Sequence, residues 1–256
     1  MRPAHLPSLP SPDRFGGPGW LQRTGGNLSL CQCLDGAFHA AGQQARNLFE
    51  RVLPGAVRRI SLDGMPQVPD SRLVRLAEEA AMEQPPLLRL HGFRSAAFAR
   101  ALAHGAGVAV DPELLFVCGL LHDAGIAPTV AGEDFTIRSA ARAARVAAEA
   151  GWDNASRDSI ADAILVHTTI GIRPDRDGAL GCYTQWGAMV DLTGLGLVQL
   201  PRDFVREVFE QYPRGAFKRE ILSHFEAEVR AMPKGRFALA KRVGFGLAVQ
   251  MAPFSS

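Results

Sequence analysis

The sequence predicts an all-α protein, and three observations carry that reading. From Asp70 onward, apolar residues recur at intervals of three and four, the spacing that gathers side chains on one face of a helix. No stretch of similar length alternates apolar and polar residues as a half-buried strand does. The breaks between apolar stretches also carry helix punctuation. Pro85-Pro86 and Asp111-Pro112 put proline where a first turn has no use for an N–H, and Gly125 and Gly151 stand where helices stop.

Taken in order, residues 1–35 are rich in Pro, Gly and Ser, lack any period and read as a loose arm, with Trp20 and Leu21 able to pin its end. Residues 36–69 comprise an amphipathic helix over 36–53, closed by Pro54-Gly55, and a linker ending at Pro69. The main helical domain spans 70–235, with helices over 71–84, 87–104, 112–123, 136–150, 154–169, 183–194, 203–212 and 216–232. Asn154 or Ser156 is the expected cap of the fifth of these. Residues 236–256 hold a last apolar helix over 237–250 and a tail.

The totals narrow the function. With 256 residues, 47% of them hydrophobic, the chain is one large domain or one domain with an extension, and its core needs no staples. A net charge of +2 demands neither nucleic acid nor an anionic membrane as partner. Cys31, Cys33, Cys118 and Cys182 form no paired CxxC pattern, no apolar run approaches a bilayer span, and the N-terminus lacks a signal peptide's apolar centre. A cytoplasmic protein with a small-molecule substrate is expected. A homo-oligomer is possible on this reading, with the arm or the last helix covering the shared face.

The chemistry-bearing residues lie on the apolar stripes. His91 shares a stripe with Leu87, Phe98 and Leu102, and His167 with Ile160, Ala163 and Ile164. The doublet His122-Asp123 ends an apolar helix. Asp191 interrupts Ala188-Met189-Val190-Asp191-Leu192, among residues small enough to admit a second helix. His104 lies 13 residues beyond His91, which turns it away from the core. Burying such groups singly is costly. A set of them on four helices can share one partner, a divalent ion.

His91, then His122-Asp123, then Asp191 resembles the H…HD…D signature of the HD-domain superfamily of metal-dependent hydrolases, over roughly residues 72–232. Three further features look similar to its cyanamide-hydratase-like branch: Arg94 beside His91, Glu133-Asp134-Phe135 opening the next helix, and Thr168 after His167. The resemblance implies a helical HD bundle with His91, His122, Asp123 and Asp191 as metal ligands. Two imidazoles and two carboxylates suit one divalent ion, zinc first, with iron or manganese as alternatives. A second ion would need more histidines between the doublet and Asp191 than His167 alone. Such an ion can lower the pKa of water from 15.7 to about 7. Asp123 would move the proton and His167 would face the substrate.

The superfamily mostly cleaves phosphate esters, yet phosphate sites want fixed positive charge. The only lysines are Lys218, Lys234 and Lys241, far along the chain from the constellation. Arg94, Arg138, Arg142 and Arg173 could supply charge instead. With Phe135, Ile137, Thr168, Tyr183 and Trp186, Arg94 and Arg138 make up the expected pocket lining. The leading expectation is hydration or hydrolysis of a small C–N compound, a cyanamide-like nitrile. The alternatives are an HD-type phosphohydrolase acting on a nucleotide or phosphate ester and, more remotely, an iron-dependent oxygenase.

Overall fold

The structure is a computed structural model that describes residues 9–53, 55 and 57–254. Among the described residues there are thirteen α-helices and no strand, so the all-α expectation holds. No helix among them is long and apolar enough to cross a membrane.

The bundle is organised around α4 (Pro86–Gly105), with α5 (Pro112–Leu121) and α9 (Ala179–Thr193) packed along it. The helices before α4 are α1 (Pro18–Thr24), α2 (Leu30–Val52) and α3 (Arg72–Ala81). Between α5 and α9 lie α6 (Phe135–Glu149), α7 (Asn154–Val166) and the short α8 (Pro174–Asp177). After α9 come a 3-10 turn (Leu197–Gln199), α10 (Arg202–Gln211), α11 (Phe217–Ala231), α12 (Arg236–Arg242) and α13 (Phe245–Gln250).

Two glycines let the central helices meet at backbone distance. A Cβ on Gly92 of α4 would lie 2.5 Å from the Leu120 carbonyl oxygen of α5, and one on Gly187 of α9 would collide with the Ser95 carbonyl of α4. Any larger residue at either position would force the helices apart. Side-chain caps fix where the flanking helices begin. Asp111 accepts from Glu113 N at 2.8 Å to start α5, and Asp134 accepts from Thr136 N at 3.0 Å to start α6. The cap of α7 is Asp153, which accepts from Ser156 N at 2.8 Å, one residue before the expected Asn154.

The N-terminal expectation needs correction. Residues 9–35 are not a loose arm: Trp20 and Leu21 of α1 are buried, pinning it as expected, but Arg14 upstream of them also forms a buried ion pair with Asp162 of α7 at 2.5 Å. Composition hid this, because the packing is made by a few large side chains set among Pro and Gly. Residues 1–8 of that expected arm, and Pro54 of the expected helix stop, lie outside the described residues. The next helix starts at Leu30 rather than at 36, because Ser29 and Gln32 form a reciprocal capping box. The expected last helix is two, since Gly244 (φ +86°) takes the left-handed conformation between α12 and α13.

Candidate metal centre

Four helix ends deliver the site. His91 lies on the second turn of α4, His122 caps the C-terminus of α5 with Asp123 next to it, His167 caps α7, and Asp191 lies on α9. All five are buried, and His91 and Asp191 are wholly so.

The three imidazoles are each held by Nδ1. His91 Nδ1 faces Asp191 Oδ2 at 2.7 Å, His122 Nδ1 faces the Gly119 carbonyl at 2.8 Å, and His167 Nδ1 faces the Ile164 carbonyl at 2.6 Å. Each acceptor assigns the proton to Nδ1 and turns Nε2 inward. The three Nε2 atoms then surround one carboxylate, at 3.7 Å (His91), 3.4 Å (His122) and 3.7 Å (His167) from Asp123 oxygens. Ligand atoms of His91, His122 and Asp123 all lie within 4.8 Å of one another, a group that could hold a metal ion.

The electrostatics fit a cation. Burial keeps His91 and His167 below the ordinary imidazole value despite their carboxylate neighbours. Burial also opposes charge on His122 and Asp123, but their mutual attraction wins. His122 is raised, and Asp123 is held well below the usual carboxylate range. Imidazole lone pairs aimed at a carboxylate need positive charge between them, either a proton or a metal ion. A buried donor set of imidazole nitrogen and carboxylate oxygen suits a borderline divalent metal.

Asp191 stands outside the His91–His122–Asp123 group. Besides His91 it is bound by Arg94, with Nε at 2.9 Å from Oδ1 and Nη2 at 2.9 Å from Oδ2, and by Arg214 Nη1. These cations outweigh the cost of burial and hold its carboxyl below its ordinary value. Where four ligands were expected, the structure brings three together and sets Asp191 one step back, orienting His91.

A cavity of about 130 Å³ opens onto His122, Asp123 and His167. Thr168 lines it, and its buried Oγ1 has no hydrogen-bond partner among the described residues. Gln185, Ala188, Met189 and Leu192 form a stripe of α9 along one side. Ala40, Gln43, Gln44 and Asn47 of α2 form another, and Ile221, Phe225, Phe237 and Phe245 close it from α11, α12 and α13.

The other expected lining residues lie elsewhere, which corrects the expected pocket. Tyr183 and Trp186 project from the far side of α9, edge-to-face at 4.9 Å, with Tyr183 packed among Ala99, Ala103 and Leu115. Phe135 sits behind the cavity wall, 5.9 Å edge-on to His167. Ile137 is 38% exposed. Arg94 is spent on Asp191, and Arg138 on the Gly125 carbonyl and Glu133. Helical period alone placed the aromatic pair inward, but α9 is buried on nearly every side, so inward was not one direction.

Sequence reasoning missed Gln185, which donates to the His167 and Thr169 carbonyls at 2.5 and 2.8 Å and so steadies the turn carrying His167. A polar residue in an apolar helix was the available signal. It also missed Arg214, which lies in a Pro-Arg-Gly turn where no period could reveal it.

An all-α bundle that gathers two imidazoles and a carboxylate beside a cavity defines a candidate metal-centre protein. Residues 90–200 match the family model of the HD domain, and they contain all five site residues. The match supports membership of the HD-domain superfamily, whose members are generally metal-dependent hydrolases. Among curated proteins, none matches the chain significantly.

Proposed function

We propose that the chain is a metal-dependent hydratase or hydrolase acting on a small uncharged C–N compound of the cyanamide or nitrile kind. The observation that carries this reading is the cavity wall, where apolar, amide and hydroxyl side chains surround His122, Asp123 and His167 and, among the described residues, no lysine or arginine takes part. Phosphate recognition relies on guanidinium or ammonium donors. Here the arginines near the site are engaged elsewhere: Arg94 with Asp191, Arg138 with Gly125 and Glu133, and Arg142 with Ala80 and Glu83.

His91, His122 and Asp123 would hold the ion, with Asp191 fixing the His91 ring and zinc the first candidate. Bound there, the ion supplies Lewis acidity, lowering the pKa of a water or polarising the substrate nitrogen. Asp123 Oδ1 faces the His167 side of the site and can accept a proton at that edge. His167 Nε2 lies 3.7 Å from that oxygen, close enough for the two groups to hand a proton between water and substrate nitrogen. The Thr168 hydroxyl can donate to or accept from the substrate's amino end, and the apolar wall excludes bulk water. For cyanamide, one water adds across the C≡N bond to give urea, and nothing else is consumed.

A substrate panel on the metal-loaded protein tests the reading. Urea release from cyanamide, without phosphate release from nucleotides or generic phosphate esters, is the expected outcome. Phosphate release with no reaction on cyanamide would replace it with phosphohydrolase activity. Oxygen consumption would replace it with an oxygenase.

A further inference from the structure

Helix α2 has two unlike faces. Its inner face carries buried Gly36, Ala40 and Glu50, with Gly36 lying against Leu239 of α12 and Glu50 accepting from Gly196 N at 2.9 Å. The outer face is apolar and is not covered by any of the described residues. Leu30, Leu34, Phe38, Leu48, Phe49, Val52 and Leu53, at or beside it, are 50–77% exposed. On a helix about 34 Å long, seven such side chains present on the order of 800 Å² per copy, what one partner gives to a standard interface. Patches of that size on a protein surface mark interaction sites.

The pattern within the face names the partner. Leu34, Phe38, Ala41, Ala45, Leu48 and Val52 follow one another by steps of four, three, four, three and four, a coiled-coil heptad. The order is also symmetric: large, large, small, small, large, large. We propose that this face packs antiparallel on the same face of a second copy of this chain, about a two-fold axis at the level of Gln43. Leu34 then meets the partner's Val52, Phe38 meets the partner's Leu48, and Ala41 meets the partner's Ala45. A two-fold interface requires such self-complementarity.

Two further observations agree. Interior glycine weakens a helix, yet Gly42 sits at the centre of α2, where a Cβ would meet open space. Nothing among the described residues calls for it. Beside Ala41 and Ala45 it lets two backbones come close. A lipid surface is the other occupant for an apolar helix face, but lipid-facing helices carry free Lys and Arg on their polar flanks. Helix α2 has no lysine. Its two arginines are bound, Arg46 to Glu50 at 2.8 Å and Arg51 to the Thr193 carbonyl at 2.7 Å. Because Gln43 and Asn47 line the cavity from the inner face, the pairing would fasten the helix that forms this wall.

Mass measurement by light scattering, with disulfide trapping, tests the proposal. The chain should run at twice its own mass, and Phe38→Glu with Leu48→Glu should halve that mass with an unchanged circular dichroism spectrum, since both side chains are exposed. In a Cys31→Ser, Cys33→Ser background, Ala41→Cys with Ala45→Cys should give a disulfide-linked dimer on mild oxidation, and Ala41→Cys alone should not. A chain of single mass at high concentration would overturn the proposal, as would a dimer that survives the two glutamates. Cross-linking by Ala41→Cys alone, a dimer that the paired cysteines fail to trap, or a single-mass chain that floats with anionic phospholipid vesicles would overturn it too.

Discussion

His91 Nδ1 lies 2.7 Å from Asp191 Oδ2, a contact closed across 100 residues of chain. That one carboxylate also binds Arg94 and Arg214, so a single anion sets an imidazole and pairs with two buried guanidiniums. The arrangement places a carboxylate behind a histidine of the candidate metal centre, as is usual for a metal-ligating ring, and fixes its orientation and tautomer.

Asp191→Ala should therefore act on stability and on metal together. Removing one partner from a buried ionic cluster costs about 3–5 kcal/mol, so its melting temperature should fall sharply. Asp191→Asn keeps the shape and should fold better, with metal affinity lowered about 10–100-fold. Thermal melts beside a metal titration check both. Undiminished affinity in the asparagine variant would exclude an orienting role.

The histidines should separate by role. His91→Ala and His122→Ala should lose the bound ion and the activity with it. His167→Ala should keep the ion and lose turnover, because its ring faces the cavity from beyond the three-residue group. His104→Ala should change little, since its ring is hydrogen-bonded to the Asp63 carbonyl at the far end of α4, away from the site. Elemental analysis alongside rate measurement decides; metal lost in proportion to rate in His167→Ala would make His167 a ligand.

An ion that binds only the folded chain must also stabilise it. At a free concentration of 100 Kd the gain is about 2.7 kcal/mol. Zinc titration should raise the melting temperature, a chelator should reverse the rise, and His122→Ala should not respond.

Glu228 gives a pH signature away from the centre. Burial pushes its carboxyl up to about 7, although the Phe135 N–H donates to Oε1 at 3.2 Å. With its folded pKa above its unfolded one, the folded state holds the extra proton between the two. Stability should thus fall as pH rises from about 4.5 to 7 and level off above, by about 1 kcal/mol after allowance for solvent screening. Glu228→Gln keeps an acceptor for Phe135 N and should be more stable than the natural chain at pH 8, with no gain at pH 4. Denaturant melts at the two pH values measure it.

Much of this was legible in the sequence because it rests on period and punctuation. His91, His122 and Asp123 could be paired on paper since each lies on, or ends, an apolar stripe. What stayed hidden is what period cannot encode. Arg214 reaches Asp191 from a turn, Arg14 anchors a Pro- and Gly-rich segment, and Gly244 divides what reads as one apolar helix. Helix α9, buried nearly all round, offered no single inward side, so Tyr183 was expected where Gln185 stands.

The cavity draws on three separate stretches of chain. The HD-matched segment, residues 90–200, supplies the charged floor, while Gln43 and Asn47 come from before it and Phe225, Phe237 and Phe245 from after it. Helices α4, α5 and α9 are locked at backbone distance, so their geometry tolerates little change. The flanking helices are under no such constraint. Substitutions in α2, α11 or α13 would therefore reshape the wall for molecules of another size or polarity while leaving the buried His and Asp cluster as it is, a division of labour that would suit this chain to selectivity engineering.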